Sequence, residues 1–228
     1  MKKIILILLI GFLANCENQP KSYKYGIPEE EYSQILLGLI NVNSSTNSTY
    51  GTVKFTGTRL EWKRCAQGQS YRSANNDCQG NSSPTNFTPI DLKYGATQHT
   101  YCNTASNSCN SLELVPILNS ATTSTTLNVT AYVSCSTDTT GVSTGSVTAG
   151  SWRVPTVIEL VALSTLGRVA TYQTFPNIPD EKYWSSTSEV TDLTGEVAQA
   201  VNFSLNGFGD TEKVKKDTKL YLRCVRSY

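Results

Sequence analysis

The apolar positions fall into two runs near the start of the chain and then change period. The first, Ile4 to Leu13, is apolar throughout apart from Gly11, follows Lys2 and Lys3, and closes at Leu13-Ala14-Asn15-Cys16. It is too short for a membrane-spanning helix, which needs about 20 apolar residues. A basic start, a short apolar core and small residues at its end predict an export signal over residues 1–16. Residues 17–27 read as a tether. The second run, Glu29 to Ile40, places Tyr32, Ile35, Leu36, Leu37 and Leu39 at helix-like spacing. Pro28 suits a first helical turn and the acidic residues after it favour the positive helix end, so a helix is expected there. Its polar face has no Lys or Arg, which favours packing on the domain behind it over a membrane surface. Asn41 to Gly51 is a Ser/Thr/Asn linker, so residues 17–50 form tether, short helix and linker.

From Thr52 the period becomes two. Thr52 to Phe55 and Leu60 to Lys63 predict paired strands around a turn at Gly57. Residues 66–125 are polar and turn-rich apart from Leu112 to Leu118, and Leu127 to Cys135 fits either a strand or a short helix. Gly141 to Gly150 is a Gly/Ser/Thr loop. After it, Trp152 to Val154 reads as a strand end running into a helix. Thr156 and Glu159 have capping-box spacing, in which the hydroxyl caps a backbone N–H and the carboxylate reaches back. Ile158, Leu160, Val161 and Leu163 supply the apolar face and Gly167 a stop. A Pro-rich loop with Pro176 and Pro179 follows. Then come three expected strands, Lys182 to Ser186, Val197 to Leu205, and Lys219 to Arg226, with a turn at Asn206-Gly207.

Charge narrows the function. The 228 residues carry 19 Lys and Arg against 18 Asp and Glu, and loss of Lys2 and Lys3 with the signal leaves a net charge of about −1. Nucleic-acid binding, which needs a basic footprint, is not expected. Charged residues make up only 16%, below the roughly 25% of typical domains; Ser, Thr and Asn replace them, as on many exported β-rich proteins. Of seven cysteines, six remain beyond Cys16: Cys65, Cys78, Cys102, Cys109, Cys135 and Cys224. An even set in an exported chain predicts three disulfides. Zinc would want CxxC pairs or several histidines, and the chain has no CxxC and one histidine, His99.

Two resemblances sharpen this. Leu13 to Cys16 resembles the lipobox of bacterial lipoproteins, in the tolerant form found in spirochaetes. It implies a lipid on Cys16 and an envelope location, with the outer membrane expected. Farther on, Trp152-Arg153-Val154-Pro155-Thr156 with Glu159-Leu160, then Tyr183-Trp184-Ser185-Ser186-Thr187, then Val201-Asn202-Phe203 with Asn206-Gly207, and finally Arg223-Cys224-Val225-Arg226 resemble ordered motifs of one family. Leu60 to Gln69 resembles its opening segment. The family is the C-terminal domain of Legionella collagen-like proteins, expanded among spirochaete lipoproteins, and the resemblance covers about residues 51–226. It implies an α+β fold similar to C-type lectins and the formylglycine-generating enzymes: a small mixed sheet, one or two helices and long loops pinned by disulfides. A lectin-like domain is thus expected over residues 51–228.

The resemblance also implies binding rather than catalysis. The founding member is an adhesin for sulfated glycosaminoglycans that trimerises through a collagen-like stalk. This chain has no Gly-X-Y repeat and is slightly acidic once residues 1–16 are lost, so neither property carries over and the oligomeric state stays open. The expected function is a lipid-anchored envelope module, a non-enzymatic binder or adhesin for matrix, glycan or an envelope protein; the alternative is a structural or assembly lipoprotein with no host ligand. No cofactor or metal is called for. EPN, QPD and WND calcium-lectin segments do not occur, and Asp180, Glu181 and Asp192 are scattered loop carboxylates. Ser185, Ser186 and Thr187 have no histidine beside them in sequence to activate a nucleophile.

Within the motifs, Trp152 and Trp184 are expected as core anchors, and Arg153 or Arg223 as the partner of Glu159. Tyr71, Arg72, Tyr94 and Tyr101 are the loop residues expected to face a ligand. For the disulfides, Asn75-Asn76-Asp77 can turn Cys78 back to Cys65, and Asn103 to Ser108 can turn Cys109 back to Cys102. Cys135 is then left for Cys224, and the family resemblance implies the same bridge. The rival pairing is Cys102–Cys224 with Cys109–Cys135.

Overall fold

The computed structural model describes residues 44–47, 49–80, 94–105, 107, 109, 130–138, 152–189 and 191–228, with the backbone of two short strands nearer the N-terminus. Those two are β1 (Tyr23–Lys24) and β2 (Ile27–Pro28), which pair antiparallel. Pro28, expected to open a helix, instead lies opposite Tyr23 in that ladder. The signal segment with Cys16, the expected helix over 29–40, the 112–118 patch and the 141–150 loop lie outside the described residues.

Two sheets carry the domain. The first has four antiparallel strands in the order β13-β5-β4-β3: β3 (Ser44–Asn47), β4 (Thr52–Phe55), β5 (Leu60–Lys63) and β13 (Val225–Ser227). The strands at Thr52 and Leu60 form as their alternation predicts. The end of the Ser/Thr/Asn linker is not a linker, because Ser44–Asn47 pairs along β4 as its outer edge. The second sheet has five strands, β8 (Gln98–Thr100), β9 (Lys182–Ser188), β10 (Val197–Asn202), β11 (Thr211–Lys215) and β12 (Lys219–Tyr221), in the order β11-β10-β9-β12-β8. It is mixed: β12 runs parallel to β9 and the other neighbours are antiparallel. The strand expected over Lys219 to Arg226 is therefore two strands in two sheets. Between them, buried Leu222 to Cys224 cross over, with Gln67 N–H donating to Leu222 O and Lys63 N–H to Cys224 O. A separate hairpin joins β6 (Gln69–Arg72) to β7 (Asp77–Gly80).

Side chains alternate across the five-stranded sheet, and both faces are buried. Tyr183, Val201 and Tyr221 face one core with Trp62, Phe175 and Phe203. Their neighbours Trp184, Ala200 and Leu220 face the other, with Trp152, Tyr101 and four of the cysteines. Helix α1 (Thr130–Ser136) lies on the second side; of the stretch expected as strand or helix, Thr130 to Cys135 is helix and residues 127–129 lie outside the described residues. Helix α2 (Val157–Ser164) covers the first side. Its capping box is complete: Thr156 Oγ1 accepts from Glu159 N–H and Glu159 Oε2 from Thr156 N–H. Gly167 does end this helical stretch, but at φ 81° it also opens helix α3 (Arg168–Thr174), which the sequence pattern does not announce.

Three disulfides pin the long connections: Cys65–Cys78, Cys102–Cys109 and Cys135–Cys224. This is the expected pairing and not its rival. The last ties α1 to the crossover segment, across 89 positions of sequence.

Candidate functional site

Three of the motifs recognised in sequence meet at one junction, where the chain passes between the two sheets, while Asn202 and Asn206 of a fourth bond each other at the turn after β10. Arg153 exchanges both backbone hydrogen bonds with Val225, at 2.9 Å each. On the other side Ser186 N–H donates to Pro155 O at 2.6 Å, and Thr187 Oγ1 accepts from Val157 N–H at the start of α2. The segment from Trp152 to Thr156 is thus wedged between the Arg223-to-Arg226 and Tyr183-to-Thr187 segments.

Each motif arginine has a distinct partner set. Arg153 clamps Glu159 through two donors, Nη1 to Oε2 at 2.8 Å and Nη2 to Oε1 at 2.6 Å, a fork geometry that matches a carboxylate. Arg226 pairs with Glu61 at 2.9 Å, stacks 4.4 Å from the Trp152 ring, and Glu61 also accepts from Thr52 Oγ1. Arg223, fully buried, does not reach Glu159: its Nη1 donates to the carbonyls of Lys63 and Arg64 at 2.7 and 2.6 Å, and its guanidinium lies over Phe175 at 4.4 Å. Burial lowers its pKa from the usual arginine value. Of the two arginines considered for Glu159, Arg153 is the one that binds it.

The aromatic and hydroxyl residues of the junction are likewise turned inward. Trp152 and Trp184 are both buried, and Trp184 Nε1 donates to His99 O at 2.9 Å. Tyr183 stacks edge-on against Phe203, and burial raises its phenol pKa. Ser185 Oγ donates to Gln199 O at 2.7 Å and accepts from Thr187 N–H. Ser186 is buried. The His99 ring, its pKa lowered by burial, meets Thr97 Oγ1 at 3.0 Å.

The loop residues separate. Tyr101, expected to face a ligand, is fully buried: it packs 5.5 Å from Trp184 and its hydroxyl donates to Ser186 O. It directly follows β8 at the start of a loop, and the polar chain around it hid that burial. Tyr71, Arg72 and Tyr94 are half-buried, and Arg72 pairs with Asp77 at 2.5 Å. Asp180 binds Arg168 and Tyr172, and Asp192 accepts from Thr194 and Val197 within its own loop, so two of the three loop carboxylates hold loops together. Among the described residues, no group of three or more His, Cys, Asp or Glu side chains is placed to hold a metal.

Sequence reasoning missed two buried ion pairs, Glu61–Arg226 and Lys63–Asp138. Their partners lie far apart in the chain and no local spacing marks them. Lys63–Asp138 ties β5 to the end of α1, beside the Cys135–Cys224 bridge, and burial lowers the Lys63 pKa despite the neighbouring carboxylate.

The model of the Lcl C-terminal domain family matches residues 51–226. No curated protein and no solved structure shows significant similarity to the chain.

Proposed function

Because the chain belongs to the Lcl C-terminal domain family, we propose that it is a non-enzymatic binding module of the cell envelope, held to the membrane by a lipid on Cys16. One observation carries the binding reading. Much of the polar chemistry of the family motifs is turned inward onto the fold itself: Arg153 binds Glu159, Arg226 binds Glu61, Arg223 Nη1 donates to two carbonyls and Ser185 to the Gln199 carbonyl. Motif residues with this role build a scaffold, and recognition falls to the loops that the scaffold carries. We place the domain among the lectin-like α+β folds for the same reason: two small sheets, a helix on each face of the mixed one and disulfide-pinned connections agree with the architecture that the resemblance implies. The ligand class is matrix, glycan or an envelope protein, and the outer membrane is the expected location.

The test is an array of glycans and matrix proteins probed with residues 22–228, alongside surface proteolysis of intact cells. Binding to one class, with protease-accessible protein on cells, supports the reading. A folded domain that binds nothing on the array and is shielded on cells favours the alternative, an assembly lipoprotein. Fatty-acid labelling that persists in Cys16→Ala removes the lipid anchor.

A further inference from the structure

A cleft of about 230 Å³ opens between the β3–β4 turn, the end of β5 and strand β6. Of its lining residues, Thr49, Tyr50, Ser70 and Tyr71 are exposed or half-buried, and Gly51, Lys63, Cys65 and Gln69 are buried. This is below the range of pockets that take drug-sized ligands, roughly 300–1,000 Å³, and suits a single small ring.

The rim is built before any ligand arrives. Asn47 Oδ1 accepts from the backbone N–H of Thr49 and Tyr50, and Asn47 O from that of Gly51, which fixes the turn. Gly51 sits at φ 63°, and a Cβ there would lie 2.3 Å from Tyr71 Cγ. Only glycine lets the turn close onto the Tyr71 ring. Behind that ring lies the Arg64 guanidinium, 5.1 Å from its centroid. Tyr71 is therefore a fixed wall, whereas Tyr50 is 43% exposed and stands over the opening.

The surrounding cations are directed elsewhere. Lys63 holds Asp138, and Arg64 donates to Tyr71 Oη, Asn76 Oδ1 and Thr174 O. The remaining lining is the two tyrosine rings, the hydroxyl-bearing Thr49 and Ser70, the Gln69 amide and Cys65 of the Cys65–Cys78 bridge. Uncharged sugars have this complementary pattern: an apolar C–H face that lies on an aromatic ring, and hydroxyls around its edge that exchange hydrogen bonds with side-chain hydroxyls.

We propose that this cleft binds one uncharged sugar ring, stacked on Tyr50 against the wall formed by Tyr71. The proposal rests on the reading of the domain as a binding module and names a site and ligand class for it. The probe is a panel of methyl glycosides of glucose, galactose, mannose and N-acetylglucosamine, each at millimolar concentration with the full chain in detergent micelles, read by saturation-transfer NMR. At least one should give signals that Tyr50→Ala weakens by about tenfold, the size expected for loss of one aromatic contact, with the melting temperature unchanged. Tyr50→Phe should retain binding, since the ring does the stacking. Silence from the whole panel, or signals indifferent to Tyr50→Ala, overturns the proposal. An array ligand whose binding survives Tyr50→Ala leaves the binding module standing and removes only this cleft.

Discussion

Replacing Glu159 by alanine removes three charge-assisted hydrogen bonds with one cut. Its carboxylate accepts two from Arg153, at 2.8 and 2.6 Å, and one from Thr156 N–H at 2.8 Å. The capping share is about 1 kcal/mol. Removing one partner of a buried ion pair costs about 3–5 kcal/mol. Here the side chains keep 13% and 16% of their surface in water, so Arg153 regains some solvation and the lower end applies. The expected total is about 3–4 kcal/mol. In a domain of this size each kcal/mol lowers the melting temperature by about 2–4 °C, which predicts a fall of about 10 °C by calorimetry. Glu159→Gln keeps an acceptor for both partners and should fall between the variant and the wild type. The double variant Arg153→Met/Glu159→Ala should recover part of the loss, because it leaves no stranded guanidinium, and the cycle should show a coupling of about 1–3 kcal/mol. A melting temperature unchanged in Glu159→Ala would refute both the clamp and the capping box.

Three further outcomes are expected. Replacing Cys135 and Cys224 together by alanine should cost about 4–5 kcal/mol in chemical denaturation, since that bridge closes the longest of the three loops; a loss no larger than that for Cys102 and Cys109 would contradict the ranking. Burial lowers the Lys216 pKa from 10.5 to about 8, against a smaller upward pull from Asp192. Between these values the unfolded chain holds a proton that the folded one releases, so stability should rise with pH across that window, by roughly 2–3 kcal/mol. Lys216→Met should lose that rise, and identical pH profiles for the two proteins would count against it. Finally, any ligand found on the array should stay bound in EDTA, because Asp180 and Asp192 serve the fold's own loops; reversible loss of binding in EDTA would point to a metal site.

The residues that were legible in sequence are those whose neighbours in space are also neighbours in the chain. Thr156 and Glu159 announce the start of α2, and the turns before Cys78 and Cys109 announce two disulfides, because each rests on a few consecutive residues. Strands whose sequence alternates polar and apolar residues, such as Thr52–Phe55, announce themselves, even though Thr52 is buried along with Val53 and Phe55. Ser44–Asn47 and Thr211–Lys215 do not: as sheet edges they are held by backbone pairing, and their side chains are mostly exposed or half-buried. Helix α3 escaped because β-branched Val169 and Thr171 weaken its helical signature and Gly167 reads equally as a stop or a start. At the candidate site, the motifs identify the junction but not its wiring. Nothing near Glu61 shows that Arg226 is its partner, and the polar stretch around Tyr101 gives no sign that its ring fills a core.

The pairing of β13 with β5 also has a consequence for the order of events in the life of the chain. Val225, Arg226 and Ser227 lie opposite Trp62, Glu61 and Leu60, so the first sheet of the domain joins segments more than 160 residues apart and waits for the later one to be made. Until then Glu61 lacks Arg226 and Cys135 lacks its disulfide partner, Cys224. A chain still on the ribosome therefore cannot complete this sheet before residues 225–227 are free to pair. A product cut short before Arg223 keeps the other motifs but loses β13, the Cys135–Cys224 bridge and the partner of Glu61 together, so one late truncation undoes three separate restraints.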